Sequence, residues 1–346
     1  MDSSFKITTN PGTIGEELKE RFPGRRFFLL TDRKVARHCL PKIKAFLPAK
    51  TVVFQIPDGE KHKNLSTCEL VWDFLLKNKA DRESVLLILG GGVIGDMGGF
   101  CASVFKRGID FVLIPTTLLA MADASIGGKT GIDFKSGKNQ IGTFQNPAFT
   151  WTFPEFLKTL PQVELVSGFA EVVKHTLIAD REAWNRIRKR DLEDQDWTSL
   201  LISSFNTKMA IVEADLLEKN IRQKLNAGHT VGHAVESYFL YKKKPVPHGF
   251  AVAAGLIMEA YLSFHEGYMS VNELTQLEEF LFSVFGKLEL KVEDGTSIWK
   301  WMQQDKKNKK GQVLMALPGP IGECQIGCSI TRSKWEKAFG YYLGYD

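Results

Sequence analysis

The segment Val85-Leu86-Leu87-Ile88-Leu89-Gly90-Gly91-Gly92-Val93-Ile94-Gly95-Asp96 begins with five residues that carry no polar side chain. A strand covered on both faces requires such a run. Glycines at 90, 92 and 95 then satisfy G-x-G-x-x-G directly after the strand. In that order a tight backbone turn and a helix N-terminus can receive a pyrophosphate. Comparable apolar runs lie on either side: Phe27-Phe28-Leu29-Leu30-Thr31-Asp32, Thr51-Val52-Val53-Phe54-Gln55 and Phe111-Val112-Leu113-Ile114-Pro115. Between them, Leu70 to Leu76 follow a helical pattern that ends near Asn78. Continuous apolar strands separated by helices predict an α/β domain with a mainly parallel, Rossmann-like sheet.

After about residue 160 the texture changes. Leu165, Phe169, Val172, Val173 and Leu177, and later Val252, Leu256, Ile257 and Ala260, repeat at helical spacing. Only Val313-Leu314-Met315-Ala316-Leu317 reads as a strand near the end. The expected plan is an α/β domain over residues 1–155, a mainly α-helical domain over 156–346, and an active site in a cleft between them.

The 346 residues are enough for two such domains and a large core. A net charge of +5, with acidic residues interleaved, suits a small anionic ligand better than nucleic acid. Five cysteines in no paired spacing, no secretory leader and no apolar run of membrane-spanning length point to a reducing, cytoplasmic setting without membrane attachment.

Two motifs bear on chemistry. Gly127-Gly128-Lys129-Thr130 imitates a phosphate-binding loop, but Asp123 stands where the first glycine of G-x-x-x-x-G-K-[ST] belongs, so an ATP or GTP enzyme is not indicated. Arg222, Asn226, His229 and His233 are spaced 4, 3 and 4, which would place all four on one face of a helix. His248 follows within 20 residues, and three of seven histidines so close together point to a metal. H-E-x-x-H is absent, so a zinc protease is not indicated. Glu171, with Lys174 and His175 on the same helical face, offers either an ion pair or a third metal ligand. One carboxylate and two imidazoles would leave open coordination positions, as catalytic zinc requires. Lys129, Lys138, Lys174, Lys208 and Arg222 could converge on an anion.

These pieces occur in one order. Gly91-Gly92-Val93-Ile94-Gly95-Asp96 precedes Pro115-Thr116-Thr117-Leu118-Leu119-Ala120-Met121-Ala122-Asp123-Ala124-Ser125-Ile126-Gly127-Gly128-Lys129-Thr130. Gly137-Lys138-Asn139, Leu157-Lys158-Thr159-Leu160-Pro161, residues 168–174 and Leu225-Asn226-Ala227-Gly228-His229-Thr230-Val231-Gly232-His233 follow, then Asp305-Lys306-Lys307. Together they resemble the sugar-phosphate cyclases. The intact Gly-His-Thr-x-Gly-His, followed by Ala234-Val235-Glu236, resembles the 3-dehydroquinate synthase branch.

The resemblance implies conversion of 3-deoxy-D-arabino-heptulosonate 7-phosphate to 3-dehydroquinate and phosphate in the shikimate pathway. It implies NAD and one divalent ion, Zn²⁺ or Co²⁺, as cofactors, and a homodimer. Metal ligands would be Glu171, His229 and His248. NAD would touch Asp58, Glu60, Lys63, Gly91, Gly92, Val93, Asp96, Thr116, Thr117, Phe156, Leu157, Lys158 and Thr159. Asp123, Lys129, Lys138, Asn139, Lys174, Lys208, Arg222, Asn226 and His233 would surround the substrate, with one of Lys306 and Lys307. The third metal block departs from the family's His-Gly-Glu, reading His248-Gly249-Phe250, which puts any supporting role of that glutamate in question. Alternative readings are another cyclase, such as a 2-deoxy-scyllo-inosose synthase, an NAD- and metal-dependent polyol dehydrogenase, or a non-catalytic anion-binding protein of the same fold.

Overall fold

The computed structural model describes residues 4–135, 137–215, 219–304, 308 and 312–344. The chain forms two compact units, Met1–Pro161 and Gln162–Asp346.

In the first unit the strands are β1 (Phe5–Ile7), β2 (Phe27–Asp32), β3 (Val52–Ile56), β4 (Val85–Gly90), β5 (Asp110–Pro115), β6 (Lys129–Phe134), β7 (Gly137–Phe144) and β8 (Phe149–Thr152). The helices are α1 (Thr13–Arg21), α2 (Arg33–His38), α3 (Leu40–Ile43), α4 (Leu65–Lys77) and α5 (Gly92–Val104). Six strands make an all-parallel sheet in the order β1-β8-β5-β4-β2-β3. The expected apolar runs are β2 to β5, and β2 and β4 are buried along their whole length. Phe28, Leu30, Leu86, Ile88 and Phe111 from the sheet pack with Val71, Leu75, Met97 and Cys101 from α4 and α5. From β2 the chain steps one way to β3, and from β4 the other way to β5. The carboxyl ends of β2 and β4 therefore flank the point where strand order reverses, the usual ligand position in such sheets. β6 and β7 form a separate antiparallel hairpin. No strand is read there from the sequence, because its glycines and lysines hide the strand pattern.

The second unit holds α6 (Gln162–Ala179), α7 (Arg181–Ile187), α8 (Trp197–Ala214), α9 (His229–Tyr241), α10 (His248–His265), α11 (Val271–Phe285), α12 (Asp294–Gln303), β9 (Val313–Pro318), β10 (Cys324–Ile330) and α13 (Arg332–Leu343). β9 and β10 pair antiparallel. α10 is buried almost throughout, and α6, α9, α11, α13 and β9 pack around it. Among the described residues no helix is long and apolar enough to cross a membrane.

Candidate active site

In the first unit the glycine motif adopts the expected strand–turn–helix. β4 ends at Gly90, Gly91 is extended, and α5 starts at Gly92. Its first turn leaves N–H groups that the helix cannot satisfy internally, a natural seat for phosphate oxygens. The turn after β5 is tied to it, because the Thr116 N–H donates to Gly90 O at 3.0 Å. Thr117 Oγ1 accepts the Ala120 N–H at 3.2 Å. A pocket opens here, lined by Gly91, Gly92, Asp96, Pro115, Ser125 and Lys129 among others. Val93 is half-buried on the first turn of α5.

Lys63 is the hub of this unit's polar network. It is 4% exposed. Its Nζ donates to Asp96 Oδ2 at 2.7 Å and to Asn139 Oδ1 at 2.6 Å. Its carbonyl accepts the Asp133 N–H at 2.8 Å, and Asp133 Oδ1 in turn accepts the Asn139 N–H at 2.7 Å. Three segments far apart in sequence are thus fixed by one buried ammonium. Two expected cofactor residues and one expected substrate residue meet there.

Other expected residues lie elsewhere in the unit. Asp58 pairs with Lys34 at 3.0 Å. Glu60 is exposed in the 3-10 turn Glu60–His62. Phe156 and Leu157 point into the core, Phe156 against Trp151 and Phe153, so any cofactor contact there falls to the backbone. Lys158 pairs with Glu155 at 2.7 Å, and Thr159 Oγ1 donates to Phe156 O at 3.1 Å. Asp123 is half-buried in a short π-helical turn. Lys129 and Lys138 are exposed.

In the second unit the histidine stripe does not lie on one continuous helix, which corrects the expectation from spacing. Arg222 and Asn226 occupy the 3-10 segment Ile221–Asn226, and α9 begins only at His229. The break is Gly228, at φ 77°. A side chain there would be strained, and its Cβ would meet Leu256 Cγ at 2.7 Å. His229 and His233 do share a face of α9, with ring centroids 5.1 Å apart. The His248 ring lies 5.4 Å from His229 and 5.8 Å from His233. Each of the three offers a nitrogen within 4.8 Å of the others.

The carboxylate of Glu171, 1% exposed, completes the group. Its Oε1 lies 3.2 Å from His229 Nε2 and 3.6 Å from His248 Nε2. Its Oε2 accepts from Lys174 Nζ. α6 and α10 are drawn together at Gly249, whose N–H donates to Ser167 Oγ at 2.9 Å. A Cβ at Gly249 would stand 1.9 Å from Ser167 O. α9 meets α10 as closely, since a Cβ at Gly232 would stand 3.1 Å from Ala251 O, so the three helices that carry these donors are set by backbone contact.

This donor set fits a divalent cation. His229 Nδ1 lies 3.0 Å from Ala227 O, a pure acceptor, so the ring's hydrogen is on Nδ1 and Nε2 carries a lone pair. His248 Nδ1 is held likewise by Glu236 Oε2 at 3.1 Å. Oε1 of Glu171 is buried and makes no hydrogen bond among the described residues. Burial alone would raise Glu171, but Lys174 and His229 outweigh it and hold the carboxyl well below its usual range. Burial lowers His229. Burial opposes a charge on His248, yet the Glu171 and Glu236 carboxylates push it up to about 9. The space between the two Nε2 atoms and Oε1 thus attracts positive charge, which a bound metal would supply in place of the His248 Nε2 proton.

Glu236 was not picked out from the sequence as a partner of the metal site, although it lies one helical turn beyond His233 on α9. Its carboxylate meets His248 Nδ1 directly, whereas the Phe250 ring packs edge-on against Phe285 at 6.0 Å. Lys174, Lys208 and Arg222 are almost wholly buried rather than solvated. Cations so placed are kept only with compensating negative charge. Asp215 fixes the Arg222 loop by accepting the N–H groups of Lys219, Asn220 and Arg222 at 3.0, 2.6 and 3.2 Å. Asp305, Lys306 and Lys307 lie outside the described residues.

The chain is similar to known proteins along most of its length. Residues 53–167 match the family described as 3-dehydroquinate synthase N-terminal, and residues 168–308 match 3-dehydroquinate synthase C-terminal. The 3-dehydroquinate synthase of Parabacteroides distasonis is 36% identical over 92% of this chain and 91% of its own. That of a Nitratiruptor species is 39% identical over 96% and 89%. Among solved structures, a 2-epi-5-epi-valiolone synthase from Streptomyces hygroscopicus subsp. jinggangensis, with NAD⁺ and Zn²⁺ bound, superposes with a TM-score of 0.85 at 25% identity, covering 100% of this chain and 98% of that one. A 2-deoxy-scyllo-inosose synthase complexed with carbaglucose-6-phosphate, NAD⁺ and Co²⁺ shares the fold, with a TM-score of 0.83 at 22% identity over 96% and 95%. With both family regions matched in order, and relatives similar along nearly their whole length, the chain belongs to the 3-dehydroquinate synthase family.

Proposed function

We infer that the protein converts 3-deoxy-D-arabino-heptulosonate 7-phosphate to 3-dehydroquinate and phosphate through the residues described above. The observation that carries this reading is the Glu171–His229–His248 donor set with buried cations in the same unit. Bound NAD supplies reversible oxidation of a substrate carbinol, and a bound divalent ion, Zn²⁺ or Co²⁺, supplies Lewis-acid polarisation of substrate hydroxyls.

Glu171, His229 and His248 would hold the ion. The N–H groups at the start of α5 would hold the NAD pyrophosphate, with Lys63 and Asp96 fixing that turn. Asp58, Glu60, Thr116, Thr117 and the backbone of residues 156–159 would complete the cofactor contacts. Lys129, Lys138, Lys174, Lys208 and Arg222 would bind the substrate's carboxylate and phosphate, stabilising charge as the phosphate leaves. Asn139, Asn226 and Asp123 would orient its hydroxyls. His233, exposed one turn beyond His229, would hold or pass a proton at a phosphate oxygen. For the aldol closure these side chains would keep the open-chain product near its reactive conformer. The family resemblance also implies a homodimer, which light scattering would test.

His229→Ala tests the ligand assignment. Loss of bound zinc together with turnover supports it, and a variant that keeps stoichiometric metal and full rate overturns it.

A further inference from the structure

We propose that Glu259 is a positioning residue for the metal site, acting on His229 through one intervening peptide group. The proposal rests on the reading of Glu171, His229 and His248 as a divalent-ion site. Glu259 lies in the otherwise apolar middle of α10 and is 0% exposed. A carboxylate in such surroundings is retained only with specific partners. Its Oε2 accepts the Gly228 N–H, and its Oε1 lies 3.4 Å from the Val231 N. These N–H groups belong to the buried start of α9, where Gly228 has no side chain to cap them. Glu259 therefore caps α9 from a neighbouring helix and puts a negative charge at its positive end.

The Gly228 N–H and the Ala227 C=O are two ends of the same peptide group. That carbonyl holds His229 Nδ1 at 3.0 Å. A continuous line of hydrogen bonds runs from the Glu259 carboxylate, across the Ala227–Gly228 peptide, through the imidazole, to Nε2 facing Glu171. A carboxylate on the N–H end polarises the peptide and strengthens the carbonyl as an acceptor. The carbonyl in turn fixes the ring's tautomer and makes Nε2 a better donor to a metal. The reach depends on close backbone contact, since a Cβ at Gly255 would stand 2.1 Å from Gly228 O. His248 has its carboxylate, Glu236, in direct contact. His229 has its own one peptide away.

Glu259→Gln, Glu259→Asp, His229→Ala and the buried control Ile257→Val should be compared well below their melting temperatures. The readouts are Zn²⁺ affinity by chelator competition, the visible spectrum of the Co²⁺-loaded protein and the melting midpoint of the metal-free protein. Glu259→Gln keeps the volume and removes the charge. It should weaken Zn²⁺ binding about tenfold, the low end for outer partners of metal ligands, and shift the Co²⁺ bands. Glu259→Asp should fall between Glu259→Gln and the parent, and it carries the test if Glu259→Gln does not fold. Ile257→Val should change neither metal readout. A Glu259 variant with a lower melting midpoint but parental Zn²⁺ affinity and Co²⁺ spectrum would reduce Glu259 to a helix cap and overturn the proposal. If instead His229→Ala keeps parental Zn²⁺ affinity, the underlying metal site is wrong.

Discussion

Replacing Lys174 by Met tests the electrostatics of the buried site without touching a proposed metal ligand. Lys174 and Glu171 are 2% and 1% exposed, and the ammonium donates to Oε2. Methionine fills similar volume but removes the ammonium, leaving only the two imidazoles beside the carboxylate. Breaking a buried pair from one side costs about 3–5 kcal/mol, because the remaining charge is stranded. At roughly 2–4 °C per kcal/mol for a unit of this size, the metal-free variant should melt about 6–20 °C below the parent. A divalent ion beside Oε1 would neutralise the same carboxylate, so added Zn²⁺ should recover much of that loss. The metal-induced rise in melting temperature should therefore be larger in Lys174→Met than in the parent. Calorimetry with EDTA and with Zn²⁺, following the transition that responds to metal, reads both quantities. A metal-free variant melting within about 2 °C of the parent would refute a stabilising Lys174–Glu171 pair.

Gly249→Ala should separate α6 from α10, because the new Cβ meets backbone rather than a yielding side chain. Overpacking of this kind costs about 1–3 kcal/mol, and metal analysis should show lost zinc through displacement of His248. Lys63→Met should raise the NAD dissociation constant about tenfold or more by calorimetric titration, since Asp96 and Asn139 lose their common charged donor. Parental NAD affinity would remove Lys63 from the cofactor site. Glu273 gives a pH prediction. Burial would raise its carboxyl, but hydrogen bonds with Ser270 and Arg181 outweigh that and lower it below 4.5. A lowered native value stabilises above the unfolded one, and the gain is lost as pH falls. Glu273→Gln should melt below the parent at pH 7, with the gap narrowing as pH drops below about 4.5; a pH-independent gap would contradict this.

The legibility of the sequence followed the physical range of each signal. β2, β4 and β5 could be read because strands buried on both faces need unbroken apolar runs, and the half-buried edge strand β3 could be read from its own apolar residues. β1 and β8 were missed because they have three and four residues, too few to show a pattern. The histidines were legible as a cluster, but helical spacing alone could not show that Gly228 stops the helix. The break is a left-handed residue at Gly228, at a point where Leu256 leaves no room for a side chain. Arg222 and the buried lysines look in sequence like ordinary surface charges, and only packing distinguishes them. Glu236 and Glu259 act through neighbours distant in sequence, at His248 and at the Ala227–Gly228 peptide. The Phe250 side chain packs against Phe285 and leaves His248 facing Glu171 and Glu236.

The most direct test is to supply 3-deoxy-D-arabino-heptulosonate 7-phosphate with NAD and Zn²⁺, measuring phosphate, 3-dehydroquinate and net NADH together. A 3-dehydroquinate synthase should release phosphate in step with 3-dehydroquinate while NADH does not accumulate. Release from glucose 6-phosphate but not from this substrate, or NADH that builds up with turnover, would contradict it.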